Sequence, residues 1–277
     1  MTAPLPDDAD FATLYAAWDS AHSDFSELAH SLTQAEWSTP TALPGWTVGD
    51  VVAHVAWIED MLGGQVDDPH EPDWASLPHV SSDFGRFIEV PVDLRRSWSR
   101  ESVLEELDAA IERRRGILGE GERSSEEPFV GLTGQMPLGY HLRMRTFDAW
   151  VHEQDIRDAL DEPGHADSPG ARATAAHLLP GLPKIWAKGA GAQPGESLAL
   201  HVTGPISFDR TVVLDEDGRA RMTDEPVPAT TTISMPWLTY LGLSCGRGDP
   251  GGWIAQVTST GDRRRADDVL AAMRITP

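Results

Sequence analysis

The sequence predicts an α+β chain: a helical bundle followed by a smaller α+β domain. Three observations carry this. Apolar residues recur at helical spacing through the first 160 residues. The segment DEPGHADSPG (161–170) then interrupts the pattern. After it, short β-branched runs alternate with turn residues. At about 100–200 residues per domain, 277 residues suit two domains, and the expected division is 1–165 and 166–277.

The elements follow in order. Residues 9–33 place Phe11, Leu14, Tyr15, Trp18, Phe25, Leu28 and Leu32 on one helical face, and Pro40 and Pro44 interrupt. A second helix starts at Thr47, whose side chain caps it, with Asp50 three residues on as a variant capping box. Val48, Val51, Val52, Val55, Ile58 and Leu62 form its apolar face, and Gly63-Gly64 ends it. Residues 65–97, rich in Pro, Asp and Ser, read as a long crossing loop. A third helix spans about Arg100 to Leu118, residues 119–136 are polar and Gly-rich, and a fourth helix runs from Pro137, a good first-turn residue, to Leu160. Four such helices predict an antiparallel bundle with long connections. Beyond the break, 171–188 reads as helix. SLALHV (197–202), TVVL (211–214), TTTI (230–233) and WIAQVT (253–258) read as strands, with Asp215–Gly218 as a hairpin turn. Residues 235–245 and Arg263–Met273 read as helices.

Composition excludes several functions. Lys plus Arg number 22 against 44 Asp plus Glu, a formal charge of −22. Such a chain is a poor partner for nucleic acid or an anionic membrane surface, both of which demand basic patches. The longest nearly apolar stretch, Val51 to Ile58, is far below the ~20 residues of a membrane span. The opening MTAPLPDDAD has no basic region and no apolar region of a secretory signal, so a cytoplasmic protein is expected. The single Cys245 rules out an internal disulfide and a multi-cysteine zinc site.

The strongest chemical signal is on the fourth helix. Asp148 and His152 stand four apart, stacked one turn above another on one face, and Asp155 and His141 extend roughly the same stripe. A carboxylate and an imidazole so placed are ready ligands for a divalent metal. His54 on the second helix lies beside Val51 and Ile58 and is a third. Inward groups from two helices of a bundle converge on one ion. Three protein ligands leave a position open, the arrangement of a catalytic rather than a structural site, and an open position suits a thiol. Each signal also has a plainer reading. A helical Asp-x-x-x-His pair is more often solvated or structural, and Asp155 is either an orienting partner of a ligand imidazole, a partner of Arg157, or solvated. Asp50 is explained as a cap, Trp46, Trp57 and Trp150 as core, and His22, His30, His70, His79, His165, His177 and His201 as surface or packing residues.

Two motifs sharpen the reading. PGWTVGDVVAHVAWIE (44–59), with Gly45, Trp46, Thr47, Val48, Asp50 and His54, resembles the second-helix motif of the DinB-like, mycothiol-dependent maleylpyruvate isomerase family. RTFDAWVHEQDIRDAL (145–160), with Asp148, His152 and Asp155, resembles that family's fourth-helix motif. The Gly-Arg-Gly around Arg247 and the tail GDRRRADDVLAAMRITP are similar to its small sterol-carrier-like domain. One departure is Asp148, where the family usually carries Glu; a side chain one methylene shorter demands a closer approach of the helix to the ion.

The resemblance implies a DinB-like metal-binding bundle followed by a sterol-carrier-like α+β domain. It implies a divalent metal on His54, Asp148 and His152, with zinc the expected ion although such a donor set accepts several, and Asp155 behind the ligands. It implies that the metal holds the thiol of mycothiol for attack on a small electrophile, as a cis–trans isomerase or an S-transferase. Anionic electrophiles need a cation, and Arg247 is the candidate. The expected assembly is a monomer or small homo-oligomer. The competing reading is a sterol-carrier-like binding protein for an apolar small molecule, with a non-catalytic bundle.

Overall fold

The computed structural model describes residues 2–132, 134–223 and 227–274. They form two compact units, one of Asp8–Thr174 and one of Ala175–Pro277 together with Met1–Asp7.

The first unit is helical. Its long helices are α1 (Phe11–Ser31), α3 (Val48–Leu62), α5 (Arg100–Gly119) and α6 (Leu138–Leu160), with a short α2 (Gln34–Trp37) and an additional α4 (Asp83–Arg95). α3 packs on α5 and α6, and α1 packs on α6 and α5, so the four close around a common interior. Phe25, Leu28, Val51, Val52, Val55, Leu107, Ile111 and Ile156 fill one continuous apolar core there. Burying each such side chain contributes roughly 1.5–3 kcal/mol. The start of α3 is fixed as the sequence predicts: Thr47 Oγ1 accepts from the Asp50 amide, and the Asp50 carboxylate accepts from the Thr47 amide at 2.8 Å. No described helix is long and apolar enough to cross a membrane.

Two expectations for this unit are corrected. Residues 65–97 are not one loop, because 83–95 fold as α4. Ser82 caps it, accepting from the Gly85 amide at 3.0 Å. Pro91, part of the Pro-rich composition that reads as loop, lies inside the helix. What holds α4 is charge over long sequence distance: Arg95 pairs with Asp67 and Glu106, and Arg96 with Asp50. The polar stretch 119–136 contains an antiparallel hairpin, β1 (Pro128–Gly131) and β2 (Gly134–Pro137), which leads directly into α6.

The second unit opens with α7 (Pro169–Leu178), which crosses from the first. After it, Pro180 and Pro183 divide the predicted single helix into short turns, among them α8 (Leu182–Lys184), ending in a π-helical turn at Ile185–Gly189. Five strands follow: β3 (Ser197–Thr203), β4 (Phe208–Leu214), β5 (Ala220–Thr223), β6 (Thr231–Pro236) and β7 (Thr258–Gly261), in sheet order β5-β4-β3-β6-β7. Only β3 and β6 run parallel. Alternation puts Leu198, Leu200 and Val202 of β3 on the buried face, in register with Val212 and Phe208 of β4 and with Ile233 and Met235 of β6. α9 (Trp237–Cys245) and α11 (Arg263–Ala272) pack on β6.

WIAQVT is not a strand. Asp249 caps a helical turn, α10 (Pro250–Ile254), by accepting from the amides of Gly251 and Gly252, and Pro250 opens it. The strand lies later, at β7. β5 has no predicted counterpart, since ARMT lacks an apolar run. The last three residues of the tail motif, 275–277, lie outside the described residues.

Candidate metal centre

α3 and α6 bring His54, Asp148 and His152 together. His54 Nε2 is 3.5 Å from Asp148 Oδ2, and His152 Nε2 is 3.7 Å from Asp148 Oδ1. The two imidazole rings meet edge to face at 4.9 Å. One ligand atom from each residue lies within 4.8 Å of the other two. Ligands at about 2.1 Å around a tetrahedral ion stand roughly 3.3–3.5 Å apart, so little adjustment separates this arrangement from coordination. The shorter Asp148 lies within 3.7 Å of both imidazole nitrogens. Oδ2 of Asp148 is buried without an aligned hydrogen bond, so the carboxylate has acceptor capacity left for a cation. The donor set fits a divalent metal.

The electrostatics suit ligands. Burial lowers the His54 pKa, and His152 and Arg145 push the same way while Asp148 opposes them, so the imidazole is held neutral. Burial opposes ionisation of Asp148, but Arg145, His152 and His54 outweigh it and hold the carboxyl well below the usual range. A neutral imidazole at His54 and an ionised carboxylate at Asp148 are the forms that bind metal.

A second layer positions these groups. Asp155 Oδ2 lies 2.9 Å from His152 Nδ1; Arg157, the other partner considered for Asp155, binds Glu153 instead. With Nδ1 engaged, Nε2 of His152 faces Asp148. Trp46 stands over both imidazoles, 5.3 Å from His54 and 6.3 Å from His152. Its indole N–H donates to Glu89 of α4 at 2.8 Å. Glu89 is in turn held by Arg96 at 2.7 Å. The unforeseen α4 therefore fixes one wall of the site. Gly45, just before Trp46, has φ +79°, and a Cβ there would stand 2.4 Å from the His79 ring, so only glycine fits.

The sequence reading missed a buried ionic cluster next to the triad. Glu59 of α3 accepts from Arg145 of α6 at 2.6 Å and from Arg114 of α5 at 3.1 Å, and His22 of α1 lies 3.1 Å away. Each of the four long helices contributes a side chain. Burial opposes ionisation of Glu59, yet Arg145, His22 and Arg114 keep its pKa well below normal. His22 is thus part of a charged network rather than a plain packing residue. His141 belongs here too, with Arg114 Nη2 2.9 Å from its Nε2, and not to a stripe of metal ligands. Burial and Arg114 depress its pKa to about 3. Arg145 also reaches out of the cluster, with Nη1 3.1 Å from Asp148 Oδ2.

Asp24, Glu153 and His165 form a second group of metal-ligating side chains. There Arg157 Nε and His165 Nδ1 each lie 2.7 Å from Glu153 Oε1, so a guanidinium already takes the place a cation would need. Arg247 lies in the second unit. Gly246 and Gly248 on either side take φ of +62° and +66°, and its Nη1 donates to the Cys245 carbonyl at 3.0 Å.

The mycothiol maleylpyruvate isomerase N-terminal domain family matches residues 18–157, which include all three residues of the triad and those behind it. The chain belongs to this family. Among solved structures, the mycothiol-dependent maleylpyruvate isomerase is similar to it at 20 % identity, with a TM-score of 0.52, covering 94 % of this chain and 96 % of that one. A histidine-to-alanine mutant of a mycothiol-dependent maleylpyruvate isomerase matches at 19 % identity over the same shares, also with a TM-score of 0.52. At these identities the likeness is one of fold, and it extends over both units. No curated protein sequence matches the chain.

Proposed function

We propose that this family member is an enzyme that uses mycothiol, with His54, Asp148 and His152 as ligands of a divalent metal, zinc being the ion the family resemblance suggests. The observation that carries the reading is the convergence of two imidazoles and one carboxylate from α3 and α6, within 4.8 Å, inside the region matched by the family. A divalent metal in such a site supplies Lewis acidity that keeps a thiol ionised near neutral pH. The protein's own residues do the rest. Asp155 fixes the His152 ring, Trp46 walls the two imidazoles, and Asp148 brings the negative charge. The same activated thiol serves cis–trans isomerisation of a maleylpyruvate-type substrate and S-transfer to an electrophile. Arg247 is proposed as the cation for a carboxylate of the electrophile.

The test is metal content. His54→Ala and His152→Ala are each expected to abolish stoichiometric metal, because loss of one of three ligands leaves a poor site. Full metal content in both variants by elemental analysis would overturn the assignment. For the thiol, calorimetry in buffers of different ionisation enthalpy is expected to show proton release when mycothiol binds. S-methylated mycothiol is expected to bind much more weakly. Equal affinity for both forms, with no proton released, would sink the proposed role of the sulfur.

A further inference from the structure

Arg145 is the link between the ionic cluster and the triad. Its side chain is 2 % exposed, against 23 % for Asp148, so it meets the carboxylate from the buried side. Nε donates to Glu59 at 2.6 Å while Nη1 lies 3.1 Å from Asp148 Oδ2. Asp148 thus presents Oδ2 to Arg145 and His54, and Oδ1 to His152.

Asp155, buried against His152 Nδ1, puts one carboxylate beside the triad. Glu59 and Asp148 carry two negative charges, and Arg114 and Arg145 carry two positive ones. With Asp155 counted, a divalent cation bound by two neutral imidazoles and Asp148 would leave this interior one positive charge in excess. In a low-dielectric interior such an imbalance is felt strongly. An anionic further ligand would relieve it.

We propose that Arg145 holds Asp148 to a single coordinating oxygen and neutralises its charge, so that the metal centre binds its ion less tightly but takes up an anionic ligand, a thiolate, more readily. This rests on the assignment of the triad as the metal site. The role is that of a positioning residue acting through Asp148.

Arg145→Gln removes the charge and keeps a hydrogen-bond donor. Glu59 retains Arg114 and His22. Removing an ordinary supporting partner of a metal ligand lowers metal affinity by about 10–100-fold. The proposal demands the opposite sign. Competition with a chromophoric chelator is expected to show Zn²⁺ bound about tenfold more tightly by Arg145→Gln than by the wild type, the inverse of that loss. In the Co²⁺-loaded variant, 2-mercaptoethanol is expected to produce its thiolate-to-cobalt absorption only at concentrations roughly tenfold higher. Unchanged or weaker Zn²⁺ binding by a folded Arg145→Gln protein, or unchanged thiol binding, overturns the proposal.

A second measurement needs no variant. In crystals of the Zn²⁺-loaded wild-type protein, Arg145 is expected to remain on one oxygen of Asp148 with the metal on the other. Both oxygens on the metal, or Arg145 turned away, overturns the proposal while leaving the triad assignment intact. Zn²⁺ bound elsewhere, or not at all, overturns the triad assignment and this inference with it.

Discussion

The two units bury different chemistry. In Asp8–Thr174 the buried polar residues include Asp50, Glu59, Glu89, Glu153 and Asp155, the guanidiniums of Arg95, Arg114 and Arg145, and the imidazoles of His22, His54, His141 and His152. In the second unit the buried polar residues among those described are Ser197, Thr231, Thr239 and Ser244. Its ion pairs sit at the margin, as with Arg265 and Glu196, whose side chains are 16 % and 27 % exposed. A sheet with helices packed against it is held by apolar registers such as Leu198–Val212 and Leu200–Ile233. A buried charged network is costly to desolvate, and its groups stay only because each has a partner. The helical unit accepts that cost around the triad, where the proposed metal site would need ionised and neutral ligands held at fixed positions.

The largest expected effect comes from breaking that network. Glu59→Ala leaves Arg145 and Arg114 buried with too little negative charge, and a loss of about 3–5 kcal/mol is expected in urea unfolding of the helical unit. A loss below about 1 kcal/mol would show that the cluster is hydrated and not a buried network.

A smaller effect separates the units by pH. His141 titrates near 3 in the fold against 6.5 as a free side chain. The unfolded chain therefore binds a proton first. This group's contribution to stability is intact above pH 6.5 and is lost as pH falls toward 3, at up to ~1.4 kcal/mol per pH unit. His54, also depressed, adds in the same direction. His141→Gln, which keeps an acceptor for Arg114, is expected to flatten the stability of the helical unit between pH 6 and 5. An unchanged slope would show that His141 is already protonated in the fold.

The smallest effect is expected in the second unit. Thr239 Oγ1 donates to Gln256 Oε1 at 3.0 Å. Thr239→Val exchanges that bond for a methyl group, and a loss of about 1 kcal/mol is expected by calorimetry. A change of several kcal/mol would mean that this unit too depends on buried polar contacts.

How much of the site was legible depends on the distance between partners. Asp148 and His152 are one turn apart, and the Thr47–Asp50 cap spans three residues, so helical geometry alone puts them in place. The Glu59–Arg145 and Glu59–Arg114 pairs span 86 and 55 residues. Hydrophobic periodicity gives charged residues the solvent side by default, so Glu59, Arg114 and Arg145 did not stand out. α4 escaped because the Pro, Asp and Ser content of 65–97 reads as loop, while the ion pairs of Arg95 and Arg96 that dock it reach 11–46 residues along the chain.

What the sequence by itself determined is local. It set the helices and their caps, most strands, the i, i+4 spacing of Asp148 and His152 and the two motifs that place the chain in its family. These depend on the 3.6-residue and two-residue periods and on side chains within a turn of one another. Tertiary structure decided the rest: the meeting of His54 with Asp148, the wall that α4 builds through Glu89 and Trp46, and the cluster in which four helices each contribute a side chain around Glu59. Those depend on which helix lies beside which, and burial converts residues of ordinary surface type into partners that cannot be removed singly without leaving a charge unpaired.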